Sequence, residues 1–428
     1  MIRRIILAFP IMIFVLIRQI YVNLFGVNKD ILSALLVASL TGLSVLAFSK
    51  RLRAQRSDLL LVDAITLAQF FLAAIVIVGY MGASLIHTAE VASSLYYYCL
   101  APFLIYSGYF LCRFRKTTLQ AALIAAGLAY LVTFWAALYQ VLEVNFWLFQ
   151  SDWLLERNFL GIGRATGMYG TQIDYGCLSF MTFCVAYYIN IRRHNWFAKL
   201  IALTAVLGAI SSMSRVWMAG ILGVFVIDFI FRQSWKHRVA IALAIAVLTL
   251  VLHPIASELG ITSIVASEDE DTQTSNYNRI EYFSQLQQWL LHDYPLVGTG
   301  PGTQNGPDTE GQKFVGDFLW LGYMVDFGAL TGVVLVLLRI VLLIYLAARS
   351  YRSHVNPSLR WVTSALCISF IFASIVDSAY AHPVTISVFY IIAGVFLYCD
   401  QPNGPARSDS RESSRALSRP SMACHDPI

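Results

Sequence analysis

The sequence predicts an all-α integral membrane protein with about 12 transmembrane helices and one large outer loop before the tenth. Three observations predict it. Hydrophobic residues make up 58% of the 428 residues and charged residues only 13%, against about 25% charged in a soluble domain; the mean hydropathy is +0.65. Several continuous apolar runs are long enough for a helix to cross about 30 Å of hydrocarbon, whereas the spans of a β-barrel are short and alternating. Finally, Lys and Arg fall in alternate loops.

The apolar runs are 5–25, 31–48, 59–79, 91–111, 119–141, 173–191, 197–213, 216–231, 239–255, 318–346, 359–376 and 383–399. The first follows Arg3 and Arg4 and lacks a small-x-small cleavage site, so it reads as a retained helix rather than a signal peptide. Ser214-Arg215 separates the seventh run from the eighth, because the two together are too long for one crossing. The net charge of +5 is informative through its distribution. Basic clusters recur at Lys50/Arg51/Arg53/Arg56, Arg113/Arg115/Lys116, Arg192/Arg193/Lys199, Arg232/Lys236/Arg238 and Arg349/Arg352/Arg360, and again in the tail. The intervening loops are nearly bare of Lys and Arg. By the positive-inside rule both termini are cytoplasmic. The expected organisation is a polytopic membrane domain over 1–400, with outer (periplasmic) loops at 142–172 and 256–317, followed by a disordered cytoplasmic tail over 401–428 that is rich in Ser, Arg and Pro.

The larger outer loop carries ten Asp and Glu against Arg279 and Lys313. Within it, Ile280, Phe283, Leu286 and Leu290 recur at helical spacing behind Asn276 or Asn278 as caps. Pro295 ends that stretch, and Gly298, Gly300 and Gly302 leave a bare backbone. The seven cysteines form no Cys-x-x-Cys, and most sit in apolar runs (Cys99, Cys184, Cys367, Cys399), so they read as small buried residues. No metal site and no cofactor fingerprint is visible, and nucleic acid is not an expected partner.

Arginines are rare on the outer side, which makes Arg157, Arg164, Arg215 and Arg279 informative. Arg164 stands in Gly161-Ile162-Gly163-Arg164-Ala165-Thr166-Gly167, where glycines admit a ligand and guanidinium suits phosphate. Its plain alternative is a loop arginine paired with Glu156 or Asp174. Arg215 lies in a turn held at the membrane boundary, where a cation is costly without a partner or water; its alternative is snorkelling to the surface. Arg279 opens the loop helix, and its alternative is a solvated residue near Glu281. The three together would suit a di-anionic head group such as a lipid pyrophosphate. Ionisable residues in or at the ends of spans are Arg18, Asp63, Asp174, Asp228, Asp326, Arg339 and Asp377. Asp326 is expected to pair with one of the arginines. Asp317 reads as a general base or a carboxylate at a helix N-terminus. His292 and His382, on the outer side, read as structural, and Asp269-Glu270-Asp271 as a solvated charge run.

Arg164-Ala165-Thr166-Gly167, Ser214-Arg215, Asn278-Arg279, Trp289, Pro295-Leu296-Val297-Gly298-Thr299-Gly300 and Gly328, in this order around one large outer loop, resemble the bacterial O-antigen ligases and Wzy-type polysaccharide polymerases. The resemblance covers roughly residues 150–345. It implies a GT-C-like, metal-independent glycosyltransferase without cofactor, whose substrate is an undecaprenyl-pyrophosphate-linked oligosaccharide in the membrane lipid. Carried over residue by residue, Arg215 and Arg279 hold the pyrophosphate and Arg164 helps to bind glycan or phosphate. Asp326 joins them on the substrate side. Where the family has a histidine before the helix that follows the loop, this chain has Val315-Gly316-Asp317-Phe318-Leu319, and Asp317 becomes the candidate base. The implied setting is the periplasmic face of the inner membrane, with a chain-length regulator and a flippase as expected partners. A ligase acting on a lipid A-core acceptor, a polysaccharide transporter or flippase, and a structural or sensor membrane protein are the other readings.

Overall fold

The computed structural model describes residues 1–53, 60–82, 95–107, 111, 116–142, 147–149, 158–159, 162–163, 165–169, 171–232, 284, 298, 319–352, 357–376 and 383–399. The ninth apolar run (239–255), the tail from Gln401 and the large loop apart from Ser284 and Gly298 lie outside them. Across the described residues the chain is helical, save one antiparallel ladder of two-residue strands, β1 (Asn158–Phe159) and β2 (Ile162–Gly163), which pairs Asn158 with Gly163. The helices are α1 (Ile2–Ile17), α2 (Gln19–Phe25), α3 (Lys29–Arg53), α4 (Leu60–Gly82), α5 (Lys116–Val141), α6 (Gln172–Arg193), α7 (Trp196–Ser211), α8 (Arg215–Arg232), α9 (Leu319–Arg352), α10 (Pro357–Val376) and α11 (Pro383–Cys399). Four of them, α3, α4, α5 and α9, are long and apolar enough to cross a membrane, or up to five if the bent pair α1–α2 is one span. α7 and parts of α8, α10 and α11 are shorter apolar helices. The chain is thus a helical membrane protein; these α-helices cover ten of the twelve apolar runs, and π-helical and 3-10 turns lie in the fourth.

Caps fix several of the boundaries. Thr171 accepts the Asp174 N–H through Oγ1 at 3.1 Å and starts α6. Asn195 does the same for Phe197 at 3.0 Å and starts α7, after His194 has ended α6 in the left-handed region (φ 48°). The Ser212–Ser214 turn separates α7 from α8 as expected, with Met213 at φ 52°.

Three runs expected to be single helices are interrupted. The first bends by 104° at Arg18, between α1 and α2. α1, at 16 residues, spans about 24 Å, less than a full crossing. The chain then turns aside as α2, whose Asn23 donates to the Leu148 carbonyl at 2.9 Å. Arg18 at the bend donates to Ser33 Oγ at 3.1 Å, so the cation finds a polar partner instead of lipid.

The fourth run is a π-helical turn (Leu95–Leu100) followed by a 3-10 segment (Ala101–Tyr106) with Pro102 near its start. Every residue from Ala101 to Tyr106 is buried. Irregular backbone at membrane depth survives only when protein covers it. α11 supplies cover: a Cβ on Gly394 would run into the Ile105 carbonyl, so glycine lets the two backbones touch.

α9 breaks at Gly328 (φ 79°, ψ 162°). Tyr323 and Arg339 are 16 residues apart, which in a straight helix is about 24 Å. Yet Arg339 donates to the Tyr323 hydroxyl. A Cβ on Gly332 would stand 2.5 Å from the Met324 Cα. Residues Leu319–Phe327 therefore fold back along the limb after the break, and this run is a short re-entrant limb plus one long limb.

Only glycine adopts the Gly328 conformation without strain. Gly328→Ala is expected to lose about 1–3 kcal/mol in thermal unfolding of the purified protein. Gly79→Ala, in α4 with nothing within 4 Å of its added Cβ, should unfold at the parental temperature or slightly above.

Candidate functional site

The Ser211–Arg215 turn is seated on α6. A Cβ at Gly176 would meet Trp217 Cδ1 at 2.8 Å and Ser212 Oγ at 2.9 Å, so the absent side chain lets the turn close down. Ser212 is fully buried; its hydroxyl donates to the Ala209 carbonyl at 2.7 Å and accepts the Ser214 N–H at 3.3 Å. The turn is thereby braced from inside, and Arg215 emerges from it exposed, as the first residue of α8.

Residues 165–169 pack on the same turn. The Ala165 N–H donates to the Ser211 carbonyl at 3.0 Å. Gln140, one residue from the end of α5, grips the same segment. Its Oε1 accepts the N–H groups of Thr166 (2.9 Å) and Gly167 (3.0 Å), and its Nε2 donates to the Gly167 carbonyl at 2.9 Å. Gly167 adopts φ +61°, and a Cβ there would meet Thr133 Cγ2 at 2.7 Å and Tyr175 Cδ2 at 2.8 Å. Tyr169 stacks on Tyr175 with centroids 6.1 Å apart, and burial pushes its phenol pKa up, so it stays a neutral hydroxyl. Beneath, the Tyr130 hydroxyl donates to Ser179 Oγ at 2.8 Å. The Arg-x-x-Gly segment and the Ser-Arg turn, some 50 residues apart in sequence, thus meet through a backbone hydrogen bond. Arg164, Arg279 and Asp317 lie outside the described residues.

A second polar cluster sits where the two irregular stretches meet. Asp326, 2% exposed on the re-entrant limb, accepts a hydrogen bond from Tyr98 of the π-helical turn. Tyr98 packs edge-on to Tyr323 (4.8 Å) and Phe327 (4.5 Å). Arg339, 1% exposed, lies 5.1 Å from the Tyr323 ring centre and 5.9 Å from that of Tyr390. Tyr96 shares a hydrogen bond with Ser387 of α11. Gly298 closes the cluster: a Cβ there would meet the Val325 carbonyl at 2.5 Å and collide with the Gly328 N–H. Gly298 and Gly328, both expected to matter from the sequence, therefore touch. Asp326 was expected beside an outer arginine; of those arginines, Arg164 and Arg279 lie outside the described residues.

Asp63 and Asp228 show the same tyrosine pairing elsewhere: Tyr106 donates to Asp63 at 2.8 Å and Tyr187 to Asp228 at 2.6 Å. Among the described residues no three His, Cys, Asp or Glu side chains gather as a metal site. Gln140, Tyr98 and Tyr323 were not singled out by the sequence. A lone polar residue closing an apolar run was the only signal for Gln140.

No protein-family model matches the chain, and no curated protein matches it. Tyr98→Phe removes a hydrogen bond to a buried carboxyl group. It is expected to cost about 1.5–3 kcal/mol in thermal unfolding, with the helical circular-dichroism spectrum retained.

Proposed function

We propose that this protein is a metal-independent glycosyltransferase of the inner membrane that polymerises exopolysaccharide or O-antigen repeat units at the periplasmic face. The observation that supports it is the Ala165–Ser211 hydrogen bond, which joins the segment carrying Arg164 to the turn carrying Arg215. An exposed guanidinium and a helix N-terminus share one corner at Arg215. Both favour an anion.

In this reading the lipid tail stays in the bilayer and its pyrophosphate faces Arg215 and Arg279. The acceptor sugar hydroxyl attacks the anomeric carbon of the donor glycan. A new C–O bond forms as the bond to the pyrophosphate oxygen breaks, and the electron pair leaves with the lipid pyrophosphate. The hydroxyl proton passes to a base, for which Asp317 is the candidate. Pre-placed cations stabilise the charge that develops on the leaving group. Arg164 holds glycan or phosphate.

A transporter or flippase is the second reading. The observation that favours it is the buried Asp326–Tyr98 and Arg339–Tyr323 cluster at the junction of two irregular membrane segments. Broken helices at membrane depth commonly line a translocation site.

Glycan chain length decides between them, measured in a strain lacking the protein and complemented at matched membrane levels. For the polymerase, wild type restores long chains, while Arg215→Ala and Arg279→Ala leave single repeat units and lower polymer at least tenfold. Long chains that form without the protein but stay on the lipid carrier identify a ligase. Normal polymer from both variants, with labelled repeat unit crossing vesicles and no chain growth, identifies the transporter.

A further inference from the structure

We infer that Gln140 is a positioning residue for the Arg215 corner, an inference that rests on the polymerase reading for its catalytic consequence. One chain of hydrogen bonds links the two. Gln140 sits at the end of a long helix, is 8% exposed, and makes three bonds with one planar amide to the backbone of Thr166 and Gly167. The next residue back, Ala165, is fully buried and donates to Ser211, the last residue of α7. Four residues on from Ser211, Arg215 opens α8. The relay thus runs from α5 through residues 165–167 to the end of α7 and into the turn that aims Arg215.

The amide is suited to this task in a way its relatives are not. Two successive N–H groups converge on one oxygen, and the neighbouring carbonyl of Gly167 needs a donor beside it. Gln supplies both in one plane. Glu keeps the acceptor, loses the donor and sets a charged oxygen against the Gly167 carbonyl. Ala provides neither. The left-handed backbone of Gly167, wedged between Thr133 and Tyr175, presents its N–H and carbonyl to that plane and has no side chain of its own to anchor it. Activity that depends on the placement of Arg215 therefore depends on a residue that touches no substrate.

The test reads segment order and glycan synthesis separately. Ala165→Cys is introduced into the full chain in membranes, and its alkylation by a maleimide is followed by peptide mass spectrometry, with buried Cys184 as internal reference. With Gln140 present the thiol at position 165 is expected to label slowly. Gln140→Ala is expected to raise its rate at least tenfold with Cys184 unchanged, and Gln140→Glu to lie between. In the complemented strain Gln140→Ala is expected to lower polymer about fivefold or more at matched membrane level. Added to Arg215→Lys it should change the remaining polymer less than twofold, because both act at one place.

Unchanged labelling in Gln140→Ala overturns the inference, whatever the glycan result. Faster labelling with undiminished polymer, while Arg215→Ala abolishes polymer, also overturns it. Faster labelling with normal polymer from Arg215→Ala upholds the clamp and overturns the reaction assigned to the arginine. If Gln140→Ala fails to accumulate, Gln140→Glu carries the same comparison.

Discussion

Hydrocarbon offers no hydrogen bonds, so each backbone group at membrane depth must find its partner inside the protein. The arrangement of this chain follows from that demand. Regular helices such as α3 and α4 satisfy themselves, and each turns an apolar face outward: Leu35, Leu46, Phe71 and Ile75 are exposed. The π-helical turn, the 3-10 segment and the break at Gly328 interrupt the regular α-helical ladder, and they lie inside. Gly394 brings α11 against the 3-10 backbone, and Gly298 sits on the peptide groups around Gly328. Glycine recurs at these contacts because lipid supplies no hydrophobic drive between helices, and stability comes from close packing and shared hydrogen bonds.

The same demand explains where the charged groups stand. Asp63, Asp228 and Asp326 each accept from a tyrosine hydroxyl, and Arg339 donates to one while lying near two aromatic rings. A tyrosine brings an apolar ring and one polar tip, so it solvates a charge without admitting a wide wet channel. Two of these tyrosines, Tyr98 and Tyr106, come from the irregular stretch. The strain of an irregular crossing and the cost of buried charge are thus met at one place.

Much of the helical layout was legible in the hydropathy of the sequence, because apolar runs of the right length have few alternatives. The bends were less so. Arg18 in the first run and Pro102 in the fourth are visible in the sequence, yet neither says how far the chain turns. Gly328 lies between Phe327 and Ala329 with no turn composition around it; the reversal there depends on Gly332 accepting the backbone of residues 323–324, a tertiary fact. The arginine motifs were legible as residue types, but their approach through Ala165 and Ser211 is a pairing over a long sequence separation. The role of Gln140 was illegible for the same reason, since its partners are backbone atoms and backbone atoms leave no mark in the sequence.

Arg215 and Arg339 show what separates a structural cation from one free to act. Arg339 is buried and held by a tyrosine hydroxyl and two ring faces, so moving it would disturb both limbs of α9 and α11. Arg215 is exposed at the N-terminus of α8, where the helix dipole disfavours a cation by about 0.3–1 kcal/mol. A basic residue at that end does not serve the helix. The turn beneath it is nevertheless built with care, through buried Ser212, through Gly176 and through the Gln140 relay. Rigid support under a group that costs the helix stability is what binding an anion requires. The guanidinium and the helix N–H groups repel one another, and under the proposed function a multiply charged oxyanion such as a lipid pyrophosphate would sit between them.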